Sequence, residues 1–530
     1  METKEAKNFD DYPVQFRGTY LFALIPLLIA AVGSILFFIA WGTFALVNLA
    51  MACFIGLIIG SVFSKNMNEY WKAAVKGMAS DICAILILII LVVGIFTQMM
   101  ARAGVAEGFV WLGSEISMTG GLFVAFVFIA CCVISMATGT SLGTVFSGFP
   151  IFYPAGILLG ADPVFLAGAI LSGAIFGDHL SPISDTTIVS STTQRFKFSG
   201  ESADIPGVVA SRFKYAGAAA LVAAALYLIF GGGLGAAAGQ VAGAEVLAEF
   251  SNPHGLVMLI PVVVLLVVAA IKRNIFVAIT VGTVVGIIVG LLSGALNVSD
   301  ILAVNDGVAE GFLIAGITAK TGIVVYLIGI FGIMGVMRES GLLDRILHAL
   351  ANSKMAKTTK GVEWINSIGV MVTSLFIGSA NGPALIIYGP LADDLARPKG
   401  IHPYRRANII DSMVCSLPIV FPISSLFIFV VLGTVTGLIP NFDFIEPLSP
   451  FALAAVTFYP IVLFFVMAIA IMSGWGLKYE TADGGSTSDP AEAITSDPTE
   501  NPEITPTFSK EEATDPIKAA RSKFKEEMKE

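Results

Sequence analysis

Charge is what this chain of 530 residues most lacks: Asp, Glu, Lys and Arg make up 13% of it, where soluble domains carry about 25%. Histidine is scarcer still, with only His179, His254, His348 and His402. The four show no metal-ligand spacing, and no nucleophile–base pair stands at a recognisable interval. The chain is therefore read as a non-enzyme that needs no cofactor. The five cysteines, Cys53, Cys83, Cys131, Cys132 and Cys415, lie in or beside apolar runs and read as small core residues. Nothing in their spacing points to a disulfide framework. No early apolar stretch ends in a small-residue cleavage site, so the first span is read as its own insertion signal.

What fills the chain instead is apolar surface: 56% of residues are hydrophobic. Runs long enough to cross a hydrocarbon core of about 30 Å recur along its length. Spans are read near 20–41, 43–63, 81–100, 120–137, 163–177, 215–231, 255–271, 274–294, 321–337, 364–380, 409–433 and 451–473. Two further stretches, 142–160 and 382–391, are rich in Gly and Pro and read as parts of hairpins or broken helices. The fold class is an all-α polytopic membrane protein with about 10–14 transmembrane segments. From 476 the composition turns to Ser, Thr, Pro and acid, which reads as a disordered tail to residue 530.

Basic residues report topology. Segments 1–19, 64–80, 195–214, 272–273, 338–363 and 392–408 hold 3, 3, 4, 2, 5 and 4 Lys or Arg, and the tail holds 7. The remaining loops hold only Arg102 and Lys320. That asymmetry puts both termini in the cytoplasm. It also accounts for the basic residues without a nucleic-acid partner.

The two halves then enter from opposite sides, and they resemble each other. "MARAGVAE" at 100–107 parallels "MRESGLLD" at 337–344, and "SMATGTSLG" at 135–143 parallels "SLFIGSANG" at 374–382. Asp178, opening "DHLSPIS", falls opposite Asp411 in "DSMVCSLPI". Like halves of opposite orientation make an inverted-repeat secondary transporter. The organisation is a cytoplasmic segment 1–19, a first repeat 20–231, an outside linker 232–254, a second repeat 255–475 and the tail 476–530.

In such a fold the site lies where helices are broken in corresponding places. Glycine lets the backbone leave the helix, and proline removes an N–H and clashes with the preceding turn. Freed carbonyls can then face a cavity. The breaks are read at Thr138–Thr144, Asp178–Thr187, Gly378–Pro383 and Asp411–Pro418. A hard cation such as Na⁺ should prefer several oxygens. Thr138, Thr140, Ser141, Ser181, Ser184, Thr186 and Thr187 offer hydroxyls, Gly139 a bent backbone, Asn381 an amide, and Asp178, Asp185 and Asp411 carboxylates.

An ionised aspartate inside a bilayer costs about 2.5–3.5 kcal/mol on insertion scales. Binding a cation or taking a proton relieves that cost, so one carboxylate can trade Na⁺ for H⁺. Asp178 or Asp185 is read as that group, with Na⁺ held at the pair and His179 as a proton relay. Plainer roles stand beside these: Asp185 as a loop or capping residue, His179 as a hydrogen-bonding partner, Asp411 in a salt bridge or at a helix end. Asn48, Gln98 and Asn366 are left unassigned, with packing hydrogen bonds between helices as a role open to them.

"TGTSLGT" followed by "GAILSGAIFGDHLSPISDTT" resembles the NhaC-type Na⁺/H⁺ antiporter family, over roughly residues 15–475. The resemblance implies re-entrant hairpins and broken helices, sodium-linked transport in a bacterial plasma membrane, and movement of a transport domain against a dimeric scaffold. The second half departs from the family pattern more than the first. Relatives that carry organic acids or amino acids keep a second reading open, a Na⁺- or H⁺-coupled carrier of a small organic solute. No Lys or Arg falls inside a span as read, which leans against a dicarboxylate. Paired breaks in inverted halves favour alternating access over a channel.

Overall fold

The computed structural model describes residues 12–37, 41, 46–197, 199–233, 250–272, 274–305, 307–481 and 485–493. Most of the 232–254 linker, the first eleven residues and the tail beyond 493 lie outside the described residues.

Apolar sequence with few breakers folds as helix, and the ends are written in the sequence. The first half forms α1 (Ile25–Ile35), α2 (Leu46–Val62), α3 (Met67–Met78), α4 (Asp81–Arg102), α5 (Val105–Glu115), α6 (Gly120–Thr138), α7 (Ser141–Leu158), α8 (Pro163–Leu180), α9 (Asp185–Thr192) and α10 (Ile205–Phe230). The second half forms α11 (Leu259–Lys272), α12 (Ile275–Ser293), α13 (Phe312–Thr318), α14 (Thr321–Glu339), α15 (Leu342–Ala351), α16 (Thr359–Phe376), α17 (Asn381–Ala396), α18 (Pro403–Val414), α19 (Leu417–Val420) and α20 (Leu426–Leu438). α21 (Pro450–Val456) and α22 (Phe458–Ser473) follow, bent by 51° where they meet. Asn66 and Asn274 cap α3 and α12 by accepting backbone N–H groups, which satisfies donors the first turn leaves open.

The helices named recur in order, α1–α10 as α11–α20, with a one-turn helix at Val298–Ile301 and a two-stranded ribbon of Ala303–Asn305 and Val308–Glu310 added in the second half. The left-handed Gly104 between α4 and α5 has its counterpart in Gly341 between α14 and α15, and Gly139 has Gly378. Among the described residues eight helices are long and apolar enough to cross a membrane, or nine with the bent α21–α22 pair. Shorter apolar helices lie at Tyr20–Gly33, Leu46–Val62 and Leu426–Asn441.

Three boundaries differ from the sequence reading. The 142–160 stretch is the unbroken helix α7 with Pro150 and Pro154 inside it, and the break falls before it at Gly139. Residues 409–433 are not one span but α18, α19 and the start of α20. α10 begins ten residues before the span read at 215.

Two compact units cut across the repeats. One comprises Met1–Ala174, Ala224–Arg345 and Val420–Phe458; the other comprises Ile175–Ala223, Ile346–Ile419 and Tyr459–Glu530. In the first unit the repeats exchange helices. α3 crosses α14 where a Cβ on Gly77 would sit 2.1 Å from the Phe331 carbonyl, and one on Gly335 would sit 2.3 Å from that of Ala73. α13 crosses α4 in the same way, through Gly316 and Gly94, where a Cβ on Gly94 would sit 2.2 Å from the Gly316 carbonyl. The two crossings pair α3 with α14 and α4 with α13. Only glycine admits backbones this close.

The second unit gathers α9, most of α10, α16–α19 and α22. Residues 476–481, at the start of the stretch read as tail, are folded onto it. Tyr479 bridges Ile401, the Glu480 N–H donates to the Gly400 carbonyl at 2.8 Å, and the buried Glu480 carboxylate accepts the Lys197 N–H at 2.8 Å.

Candidate functional site

α8 ends because Pro182 lacks an N–H and pushes Ser181 out of helical geometry. Ser184 then restarts the chain as the N-cap of α9, its Oγ accepting the Thr186 N–H at 3.3 Å. The stretch 178–187 is thereby sorted. Asp178, in the last turn of α8, is half-buried; His179, Ser181, Ser184, Thr186 and Thr187 are buried; Asp185, first residue of α9, is exposed.

His179 is clamped from both sides. Its Nδ1 meets the Tyr459 hydroxyl at 2.8 Å and its Nε2 the Ser412 hydroxyl at 3.2 Å. This chain of Tyr, His and Ser side chains links α22, α8 and α18.

Against α9 lies a residue that the sequence reading placed in a loop. Arg212 sits inside α10, fully buried, and pairs with the equally buried Asp411 at 2.7 Å. This corrects the expectation that no basic residue enters a span. All five guanidinium N–H groups are engaged. Nε donates to Asn408 Oδ1 at 3.1 Å. One terminal nitrogen donates to the His179 carbonyl at 2.6 Å and Thr187 Oγ1 at 3.0 Å. The other serves Asp411 Oδ2 and Ser190 Oγ, the latter at 3.3 Å. A guanidinium has five donors, so none remains for a substrate carboxylate. Ser190 Oγ in turn donates to Asp411 Oδ2 at 2.8 Å.

The other Asp411 oxygen points to the second break. Cys415 Sγ lies 3.8 Å from Asp411 Oδ1, and the thiol is within electrostatic reach of Asp178 as well. The Asn381 amide is 3.5 Å from the same sulfur. With its nitrogen turned to the backbone it donates to the Ser379 and Val414 carbonyls at 3.1 and 3.2 Å, and its oxygen faces the thiol. Ser379 holds a left-handed φ of 61°, unfavourable for a residue with a Cβ. Its hydroxyl, donating to the Pro418 carbonyl at 2.6 Å, ties the break before α17 to the break after α18. Asn381 and Asp411 thus approach one cysteine at two helix breaks, within electrostatic reach of Asp178. Among the described residues no three of His, Cys, Asp and Glu converge as a metal-binding group.

Thr138, Gly139, Thr140 and Ser141 belong to the other compact unit. There Gly139 turns the chain at φ 66°, Thr140 caps α7 by accepting the Gly143 N–H at 3.3 Å, and Thr138 Oγ1 donates to the Ile134 carbonyl at 2.9 Å. Gln98, in the same unit, donates to the Gly437 carbonyl and accepts from Asn441 at 2.7 Å.

α18 is anchored at its start by two more buried arginines. Arg405 makes a two-pronged pair with Glu363 at 2.7 and 3.2 Å and donates to the Tyr215 hydroxyl at 2.7 Å. Arg406 pairs with Asp393. Before them, burial first and then the Arg406 charge hold the His402 imidazole down at about 4, so its Nδ1 is free to accept the Tyr404 N–H at 3.3 Å.

Residues 17–231 match the sequence model of the Na⁺/H⁺ antiporter family. The malate-2H(+)/Na(+)-lactate antiporter of Bacillus subtilis is 26% identical over 359 residues, covering 65% of this chain and 74% of its own length. The Na(+)/H(+) antiporter NhaC of Alkalihalophilus pseudofirmus is 33% identical over 135 residues, 25% of this chain and 29% of its own. A solved YdaH transporter of Alcanivorax borkumensis aligns over 75% of this chain and 88% of its own at 14% identity, with a TM-score of 0.28, too low to bear on the fold. Residues 17–231, which carry the Asp178–Thr187 break and Arg212, are thus similar to the Na⁺/H⁺ antiporter family.

Proposed function

We propose that this protein exchanges Na⁺ for H⁺ across a bacterial plasma membrane, with both termini cytoplasmic and Asp178 as the exchanging carboxylate. The observation that carries the reading is the division of labour between the two aspartates. Asp411 is neutralised by Arg212 at 2.7 Å, while Asp178 stands half-buried in the last turn of α8, just before the Pro182 break. An aspartate set at a helix break inside a membrane lowers its cost by taking either a cation or a proton. Backbone carbonyls at the breaks, the Asn381 amide and the hydroxyls of Ser181, Ser184, Thr186 and Thr187 are the oxygens that could complete a Na⁺ shell. Asp185, exposed at the start of α9, serves the approach to the site, and His179 carries or orients a proton between Tyr459 and Ser412.

Exchange of organic acids is the second reading, favoured by the relative named for malate and lactate, which matches 65% of this chain. The buried arginine does not add to it, since its five donors are already used. Proteoliposomes with an acid interior and a pH-sensitive dye separate the readings. Na⁺ added outside should raise internal pH in the wild type and not in Asp178→Asn. A flat trace in correctly inserted wild-type protein, with uptake of radiolabelled malate or lactate, would give the second reading the site.

A further inference from the structure

The N-terminal strap and the foot of α1 form a pocket that the transport site does not use. Residues 14–17 lie along two loops of the first compact unit. The Arg17 N–H donates to the Phe63 carbonyl at 2.9 Å, the Lys65 N–H to that of Gln15 at 2.8 Å, and the Val14 N–H to that of Glu339 at 3.3 Å. Between strap and loops is a cavity of about 250 Å³ whose lining includes Gln15, Thr19, Tyr20, Lys65, Ser340 and Arg345. Two of its lining residues are basic and none is acidic. The Arg345 guanidinium is held over the Tyr20 ring at 4.6 Å, and Lys65 Nζ lies 3.3 Å from Gln15 Oε1.

On α1 itself runs an apolar groove of about 260 Å³ lined by Ile25, Leu28, Ile29 and Val32. Leu28 and Val32 are more than half exposed. The turn Tyr20–Leu24 separates cavity from groove, about 10 Å of tight helix. The three segments that build the cavity, 12–19, 64–65 and 338–345, are those whose basic residues place them on the cytoplasmic side. A cationic, hydroxyl-lined pocket set one short turn from an apolar groove matches a molecule that is anionic at one end and aliphatic at the other.

We propose that this surface binds an anionic glycerophospholipid of the inner leaflet, its phosphate between Lys65 and Arg345 and an acyl chain along α1. A basic residue at such a surface attracts anionic lipid by about fivefold in affinity. The test is native mass spectrometry of the full-length protein in detergent, with phosphatidylglycerol, phosphatidylcholine and inorganic phosphate as probes. Phosphatidylglycerol should bind in preference to phosphatidylcholine, and Lys65→Gln and Arg345→Gln should each lower that preference about fivefold. Leu28→Trp, which fills the groove and leaves both charges in place, should lower it too, and it keeps the test open if Arg345→Gln fails to fold. Equal binding of the two lipids, or a preference unchanged in Lys65→Gln and Leu28→Trp, would overturn the proposal. Inorganic phosphate binding as well as the lipid would assign the pocket to a free anion and overturn it too.

Discussion

Arg212 and Asp411 meet at 2.7 Å with neither side chain exposed. They join a helix of the first repeat to a helix of the second. A buried pair is strongly destabilised when one partner goes, because the other charge is left alone in low dielectric, at a cost of about 3–5 kcal/mol. Asp411→Asn and Arg212→Gln should each lower the unfolding free energy in detergent by about that amount. The double variant Arg212→Met/Asp411→Leu should lose distinctly less than either single one. A loss in the double variant equal to the sum of the two single losses would mean the pair is not coupled.

Arg212→Lys keeps the charge but has three donors on one point instead of five on a fork. It cannot serve Asp411, Ser190, Thr187, Asn408 and the His179 carbonyl together. The expected result is a stability loss of about 1–3 kcal/mol, between that of Arg212→Gln and none, read in the same unfolding assay.

The two aspartates of the 178–187 stretch should separate in transport. Asp178→Asn should abolish Na⁺-dependent alkalinisation of acid-loaded vesicles. Asp185→Asn should leave most of the rate, since its side chain is exposed at a helix start. The reverse order of effects would move the exchanging role to Asp185.

His402 predicts a pH dependence. Its folded pKa of about 4 lies below the ordinary 6.5, because burial and then Arg406 oppose its charge, against the pull of Asp204. The unfolded chain therefore takes up the proton first. Stability is full above about pH 6.5 and falls as pH drops from there towards 4. Melting temperature measured across that window should drop in the wild type and drop less in His402→Gln.

The glycine crossings of the first unit admit no side chain. Gly77→Val and Gly316→Val should each cost about 1–3 kcal/mol or more, since backbone rather than a flexible side chain blocks the new atoms. Expression and thermal melting of the two variants should fall alike.

Much of this was legible in the sequence. Apolar runs give the spans, and Gly104, Gly139, Gly341 and Gly378 punctuate the halves where "MARAGVAE", "MRESGLLD", "SMATGTSLG" and "SLFIGSANG" correspond. Arg212 escaped because counting Lys and Arg treats every basic residue before a span as loop charge. The missed signal is Pro206, a favoured residue of a helix's first turn. From there to Phe230 no further proline interrupts "GVVASRFKYAGAAALVAAALYLIF", so Arg212 lies well inside one helix. Arg405 and Arg406 escaped for the same reason, being helix residues paired with Glu363 and Asp393. Pairing across 199 residues, as between Arg212 and Asp411, leaves no local pattern to read.

That separation also sets an order of events at the ribosome. Arg212 is synthesised 199 residues before the carboxylate that neutralises it. At about 5–20 residues per second the guanidinium waits roughly 10–40 s for its partner. Until then the first half can offer it only the His179 carbonyl and the hydroxyls of Thr187 and Ser190, none of which carries a charge.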